Sequence, residues 1–261
     1  MAEPDYRLIQ DPPGDGAWNM AVDQALLHAA ADGGPVTLRL YRWERPTLSL
    51  GYFQAHAERD AHAASRGADL VRRQSGGGAI LHDHELTYSL VIPPGRPLAT
   101  QTQALYDTVH ESLIAILTAL PPLAADSASL QRFEAADGAL PTNEPFLCFE
   151  RRSAGDILLS CGSGSHKIVG SAQRRWRGAV LQHGSILLRR SVSAPELPGF
   201  CDLTKAEENE TERALRQELP QLLTGSAGGP FEESSLPDGL HEAAAAIAVD
   251  RYRSKLWTQR R

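Results

Sequence analysis

The sequence predicts an α/β (α+β) fold, a mixed β-sheet flanked by helices. Three observations carry that reading. The 261 residues hold 42% apolar and 22% charged side chains, a globular balance with enough length for one large domain or two small ones. Alternating apolar and polar runs, the period of a strand, recur early in the chain and again after residue 156. Helical periodicity appears in a few long stretches and not between every pair of strands, so the βαβ alternation of a doubly wound sheet is not expected.

The elements follow in order. Gly14–Asp15–Gly16 opens a helix whose apolar face is Met20, Val22, Ala25, Leu26 and Leu27, ending near Gly33–Gly34. Residues 36–43 alternate as a half-buried strand, Pro46 breaks it, and 47–53 form the next. A short helix is expected over 57–66. The run from Asp69 to Arg73 then enters Ser75–Gly–Gly–Gly–Ala–Ile–Leu–His82–Asp83, and 85–92 alternate again. A helix over 102–120 packs Leu105, Val109, Leu113, Ile114 and Leu117 on one side. Residues 121–145, rich in Ala, Pro, Ser and Asp, read as a long connection with one short strand. Strands over 156–160, 167–173 and 179–188 follow. From about Ser193 the chain turns mainly helical, over 207–223 and 240–257, with a break at Gly228–Gly–Pro230.

Charge and cysteine usage narrow the function classes. A net charge of −6 does not favour nucleic acid or an anionic membrane. Basic residues cluster at Arg72–Arg73 and from Lys167 to Arg177, a patch suited to a phosphate or an acidic partner, or to guarding a sheet edge. Three cysteines, Cys148, Cys161 and Cys201, without CxxC spacing fit a reducing compartment and argue against a disulfide framework or a zinc knuckle. The polar N-terminus is not a signal peptide, and the longest apolar stretch, 113–120, is too short to span a bilayer. A cytoplasmic protein is expected, with no metal and no cofactor.

The sharpest local feature is Arg72–Arg73–Gln–Ser75–Gly76–Gly77–Gly78, with His82–Asp83 downstream. Three glycines between strands allow a tight turn and close approach to a ligand, and their N–H groups can form an anion-binding nest. It is neither a Walker A loop nor GxGxxG opening a helix. Read alone it serves equally as a plain turn, and the arginines and His82–Asp83 tilt the reading to a ligand loop. Cys148 sits at the end of the loose connection. A lone cysteine is most often a small buried hydrophobe, whereas a thiolate needs a nearby cation or base. Lys167, in a Gly/Ser turn, is the candidate partner, with His82 and His183 behind it. Cys161 and Cys201 read as packing residues. Gly170–Ser171–Ala172, between two strands, either packs strands closely or leaves a slot for an extended acyl chain.

With these residues in place, the sequence resembles the family of lipoate–protein ligases, octanoyltransferases and biotin ligases. The resemblance runs from Asn19–Met–Ala–Val–Asp–Gln–Ala through Gly51–Tyr–Phe–Gln, the Arg72–Gly78 loop and His82–Asp to Lys167–Ile–Val–Gly–Ser–Ala–Gln and His183–Gly–Ser–Ile–Leu. It implies the biotin/lipoate ligase, class II synthetase-like catalytic fold as a single domain over 1–261, with the helical part from about 193. It also implies action on a lipoyl-domain lysine. Cys148–Phe149 and His82–Asp–His–Glu–Leu–Thr–Tyr–Ser89 resemble the cysteine-dependent octanoyltransferases. Ser75–Gly–Gly–Gly78 is closer to the ligases, and the turn before Lys167 is a few residues longer than usual.

The expectation is therefore an octanoyltransferase taking octanoyl from acyl carrier protein as a Cys148 thioester and passing it to a lipoyl domain, that of the glycine cleavage H protein or of a 2-oxoacid dehydrogenase E2. Cys148 and Lys167 are the implied catalytic pair. Arg73, Ser75, Gly76, Gly77, Gly78, His82, Gly170, Ser171, Ala172 and His183 are the implied substrate-binding residues. Lys167 or His82 would take the amine proton, backbone N–H groups of 76–78 or of a Gly170–Ser171 turn would hold the oxyanion, and Arg72, Arg73, Arg174 and Arg175 would steer acidic partners. A monomer is expected. Two alternatives stay open: an ATP-dependent ligase with Cys148 a bystander, and a non-catalytic binder of lipoyl domains or acyl carriers.

Overall fold

The computed structural model describes residues 4–121, 128–134 and 145–260. The chain opens with β1 (Tyr6–Gln10), α1 (Gly16–Ala31), β2 (Val36–Tyr41) and β3 (Thr47–Leu50). Two 3-10 turns, His56–Ala61 and Ala63–Gly67, stand where one helix was expected. β4 (Asp69–Arg72), β5 (Ile80–His82), β6 (Glu85–Ile92), the short α2 (Pro97–Thr100) and α3 (Thr102–Ala119) follow. Next come β7 (Ser129–Arg132), a 3-10 turn at Cys148–Glu150, β8 (Ile157–Cys161), β9 (Gly164–Trp176) and β10 (Ala179–Leu187). The helical part comprises α4 (Phe200–Thr204), α5 (Glu208–Ala227), α6 (Asp238–Ile247) and α7 (Lys255–Thr258), interrupted by the two-residue β11 (Glu232–Glu233) and a π turn at Ala248–Tyr252. β7 is the short strand expected in the loose connection, most of which lies outside the described residues.

Eight strands form a mixed sheet in the order β11–β1–β2–β6–β10–β9–β8–β7. The pairs β11–β1 and β1–β2 are parallel, and the rest are antiparallel. α3 and α5 cover one face through Leu105, Leu113, Leu117, Leu215 and Leu219, packed on Leu38, Leu90 and Ile168. α1 and α6 cover the other through Val22, Leu26 and Ala244, packed on Ile9, Val91 and Leu181. A sheet enclosed on both faces buries its central strands whole, and β2, β6 and β10 carry no exposed residue. β2 was expected to be half-buried from its alternation. Its polar Arg39 instead points into the α1 layer, where Asp11 at 2.6 Å and Asp23 at 2.9 Å neutralise it.

A second sheet, β4–β3–β5, stands beside the first. β3 pairs parallel with β4 and antiparallel with β5. The glycine loop between β4 and β5 therefore crosses over β3 and is not a hairpin between neighbours. β1 and β11 were not foreseen. β1 has five residues and β11 two, too few for a pattern to show, and Arg7 and Glu232 meet only through the register of their parallel pairing.

Candidate active site

The site forms where the small sheet meets the centre of the large one. Ala79 ends the glycine loop and pairs with the segment arriving from the loose connection: Ala79 N–H donates to Phe146 O at 3.1 Å, and Cys148 N–H donates to Ala79 O at 2.7 Å. This backbone pairing holds the Cys148 turn against the loop. Lys167 is not in a turn. It lies in β9, opposite Leu158, with its chain directed at Cys148. Lys167 Nζ stands 3.8 Å from Cys148 Sγ and donates to Cys148 O at 3.3 Å. It lies 5.2 Å from the centre of the Phe149 ring.

One partner was not foreseen. Asp156 Oδ2 is 2.8 Å from Lys167 Nζ, with both side chains only 2% exposed. Burial pushes the Asp156 carboxyl up, while the Lys167 charge and the hydrogen bond from Ser153 N–H pull against it. The signal available in sequence was an acid placed directly before an apolar strand, eleven positions from the lysine. Gly170 is what lets this lysine lie flat. A Cβ there would sit 2.6 Å from Lys167 Cε and 2.9 Å from Nζ.

The glycine loop is shaped by Arg73. Its guanidinium donates to Ser49 O at 2.9 Å, Gly76 O at 2.7 Å and Gly78 O at 2.6 Å. Burial pushes it down to about 10. Gly77 takes the left-handed conformation at φ 92°, and its Cβ position is 4.0 Å from Cys148 Sγ. Gly51 has no room for a side chain because Gly77 O lies 2.0 Å from its Cβ position. Arg72 is also fully buried, donating to Gly51 O, Gln54 O and Thr258 O. Arg72 and Arg73 are therefore structural cations that hold carbonyls, and the expectation that they steer partners from the surface is corrected. Arg175 is exposed and Arg174 half-buried.

Two histidines back the loop. His183 Nδ1–H donates to Asp23 Oδ2 at 3.1 Å, and its Nε2 meets Ser75 Oγ at 2.6 Å. Asp23 is pushed up by burial, yet the His183 hydrogen bond and the Arg39 charge outweigh this and leave it lowered. His82 stacks on Trp43 at 3.8 Å. Its Nδ1 meets Glu85 Oε1 at 2.8 Å and its Nε2 meets Ser49 Oγ at 2.7 Å. Burial lowers His82, against the pull of Glu85, which favours the neutral ring donating to Glu85 and accepting from Ser49. Both ring nitrogens are thus committed, and His82 is not free to take an amine proton. Asp23 was missed although it interrupts the apolar face of α1 as the one acid among Met20, Val22 and Leu26.

The cleft bounded by these groups has a volume of about 330 Å³, at the lower end for small-molecule sites. Arg73, Gly76, Gly77, His82, Cys148 and Lys167 line it, together with Gly170, Ser171, Ala172 and His183. Met20, Tyr41 and Trp43 line it as well. Gly78 carries a carbonyl to Arg73, and Ser75 sits behind the lining as the partner of His183. Gly170 and Ser171 are strand residues paired with Ser185 and Gly184, so the expected turn there, with free N–H groups for an oxyanion, does not exist. Ser171 Oγ meets Tyr88 Oη at 2.6 Å and His110 Nε2 at 2.7 Å. Among the described residues no group of three or more His, Cys, Asp or Glu gathers to hold a metal ion, and no helix is long and apolar enough to cross a membrane. Cys201 is buried, and half-buried Cys161 packs against the core and meets Ser163 Oγ at 3.1 Å; neither lines the cleft.

Comparison with known proteins supplies a family. The model of the lipoyl protein ligase A/B catalytic domain matches residues 15–214. Octanoyltransferase LipM of Kyrpidia tusciae is 38% identical over 253 residues, 92% of this chain and 88% of that protein. Octanoyltransferase LipM of Geobacillus kaustophilus is 38% identical over 192 residues, 72% of this chain and 67% of that protein. In the archaeal lipoylation system of Thermoplasma acidophilum, a bi-partite lipoate protein ligase with its E2 lipoyl domain, the matching chain is 20% identical. It covers 98% of this chain and 96% of its own length with a TM-score of 0.69, a likeness of fold.

Proposed function

The chain belongs to the lipoyl protein ligase A/B catalytic-domain family, and from that premise we propose that it is an octanoyltransferase working through a Cys148 thioester. The single observation that carries the mechanism is Lys167 Nζ at 3.8 Å from Cys148 Sγ on the wall of the cleft. An ammonium at that distance stabilises a thiolate, the nucleophilic form.

The thiolate attacks the carbonyl of an octanoyl thioester carried by acyl carrier protein. Backbone N–H groups of Gly76–Gly78 hold the developing oxyanion, a contribution of about 3 kcal/mol for a well-placed donor. The carrier leaves as a thiolate that takes its proton from solvent, and Cys148 becomes an uncharged thioester. Thioester exchange is close to thermoneutral, so this half needs no ATP. The octanoyl chain lies in the slot between the glycine loop and Gly170–Ala172, toward Trp43 and Met20. The lysine amine of a lipoyl domain then attacks the acyl-cysteine. Lys167 passes one proton to the departing Sγ and takes one from the attacking nitrogen, and the Cys148 thiol then gives its proton to solvent and regenerates the thiolate. An amide forms as the thioester breaks, and the lower free energy of the amide drives this half. Arg174 and Arg175, on β9 beyond the slot, remain placed to attract acidic partners.

The adenylating alternative shares the loop and the lysine and leaves Cys148 idle. The contact between Cys148 and Lys167, and relatives named as octanoyltransferases, favour transfer. The test is intact-protein mass after mixing with octanoyl-acyl carrier protein without ATP. One octanoyl adduct is expected on the native chain, none on Cys148→Ala, and discharge is expected on adding an apo lipoyl domain. Lipoyl-domain acylation that needs ATP and free acid, with no adduct, would overturn the proposal.

A further inference from the structure

Cys148 does not keep one charge through such a cycle. It is a thiolate before attack and an uncharged thioester after it. Lys167 beside it is almost wholly withdrawn from water, its side chain 2% exposed. A buried ammonium whose sole counter-charge disappeared at each turnover would be left uncompensated, which is strongly unfavourable. Through that cycle the inference rests on the octanoyltransferase reading.

The structure sets a second anion against the same ammonium. Asp156 Oδ2, at 2.8 Å, is nearer to Nζ than is Sγ. The carboxylate is itself fixed: Ser153 N–H donates to Oδ2 at 2.7 Å and Tyr106 O–H donates to Oδ1 at 3.3 Å. Its loop is clamped to α3, where His110 Nδ1–H donates to Gly155 O at 2.8 Å. Gly155, at φ 91°, packs so closely on Tyr106 that a Cβ would lie 2.6 Å from the ring. Among the described residues, the other ionisable groups around Lys167 bring no competing anion. His110 is held down to about 4 by burial, against its bond to Gly155 O, and stays neutral. Burial and the neighbouring Asp156 hold the Tyr106 phenol far above its ordinary value. Arg73, across the loop, is committed to carbonyls.

We propose that Asp156 is a positioning residue that anchors the Lys167 ammonium at Cys148 and supplies the counter-charge that persists when Cys148 is acylated. Lysine has a flexible four-carbon stem. The carboxylate and its two donors give that stem one place to end, and Gly170 leaves the space for it.

The role is tested by the rate at which iodoacetamide alkylates Cys148 at pH 7, followed by peptide mass so that Cys161 and Cys201 are not counted. Asp156→Asn is expected to slow alkylation by about tenfold or more, the lower end of what one neighbouring charge does to an ionisable group. Asp156→Glu, which keeps the charge, restores most of the rate. In a Lys167→Met background Asp156→Asn has no further effect, because Asp156 acts through the lysine. Equal slowing with and without Lys167, or unchanged or faster alkylation in the Lys167 chain, overturns the proposal. Should Asp156→Asn fail to fold, Tyr106→Phe frees one carboxylate oxygen and is expected to slow alkylation by about twofold or more, again only when Lys167 is present. No acyl donor enters this assay. Failure of octanoyl adducts to form would sink the transferase reading and leave the alkylation cycle to judge Asp156.

Discussion

Lys167 reaches Cys148 because of a residue that carries no side chain. Gly170 leaves the volume through which the lysine stem passes, and a Cβ there would displace Cε, at 2.6 Å. Its backbone needs no left-handed conformation, so Gly170→Ala is expected to fold with a near-native melting midpoint while moving Nζ away from Sγ. Misplacement of a reacting group by about 1 Å costs on the order of a hundredfold in rate. Single-turnover octanoylation of Gly170→Ala should fall by about that factor, and an unchanged rate would show that Lys167 has another route to Cys148. Cys148, Lys167, the glycines and both histidines were legible in the sequence because their motifs are local and ordered. Asp156 and Asp23 were not, since a buried acid is recognised only by the cation or ring that faces it.

At the scale of elements, β2 and α1 are joined by charge as well as by apolar packing. Arg39 in β2 bonds Asp11, Asp23, Asn19 O and Asn19 Oδ1, and its guanidinium carbon lies 3.8 Å from the centre of the Tyr41 ring. Asp23 passes this constraint to His183, and His183 passes it to Ser75 at the root of the glycine loop. Arg39→Met would strand Asp23 as an uncompensated buried charge. The expected loss is about 3–5 kcal/mol, read as a lower urea midpoint. The alternating pattern of β2 correctly indicated a strand and misjudged its burial. Alternation reports which residues share a face, and whether that face meets water depends on α1 returning to cover it. In the same way Lys167 read both as the start of a strand to Gln173 and as a turn residue, whereas β9 runs from Gly164 to Trp176 and holds the lysine well inside it.

For the whole molecule, buried neutral histidines set the acid limit of stability. His110 is held down to about 4 and His82 is also lowered, both through burial. An unfolded histidine takes its proton near the ordinary value of about 6.5. The unfolded chain therefore binds more protons below that pH, and stability is lost as pH falls from about 6.5 toward 4. Asp156, raised by burial, works in the opposite direction and softens the slope. Stability measured by urea unfolding should drop on going from pH 7 to pH 5, with His110 responsible for roughly 2 kcal/mol of it. His110→Gln should show a shallower acid slope, and an identical slope would remove His110 as the cause. The same scale explains the Arg72 correction. Paired arginines before a glycine loop look like a ligand patch in one dimension, but Arg72 is spent on Gly51, Gln54 and, from the far end of the chain, Thr258. The sequence by itself determined the mixed α/β class, the family, and the cysteine, lysine and glycine loop that line the cleft, because periodicity and ordered motifs are local properties. Tertiary structure alone decided which charges reach solvent, which carboxylates serve the lysine and histidine, and that β9 carries the lysine to the cysteine. Those outcomes depend on desolvation and on approach within about 4 Å, which only packing of distant segments creates.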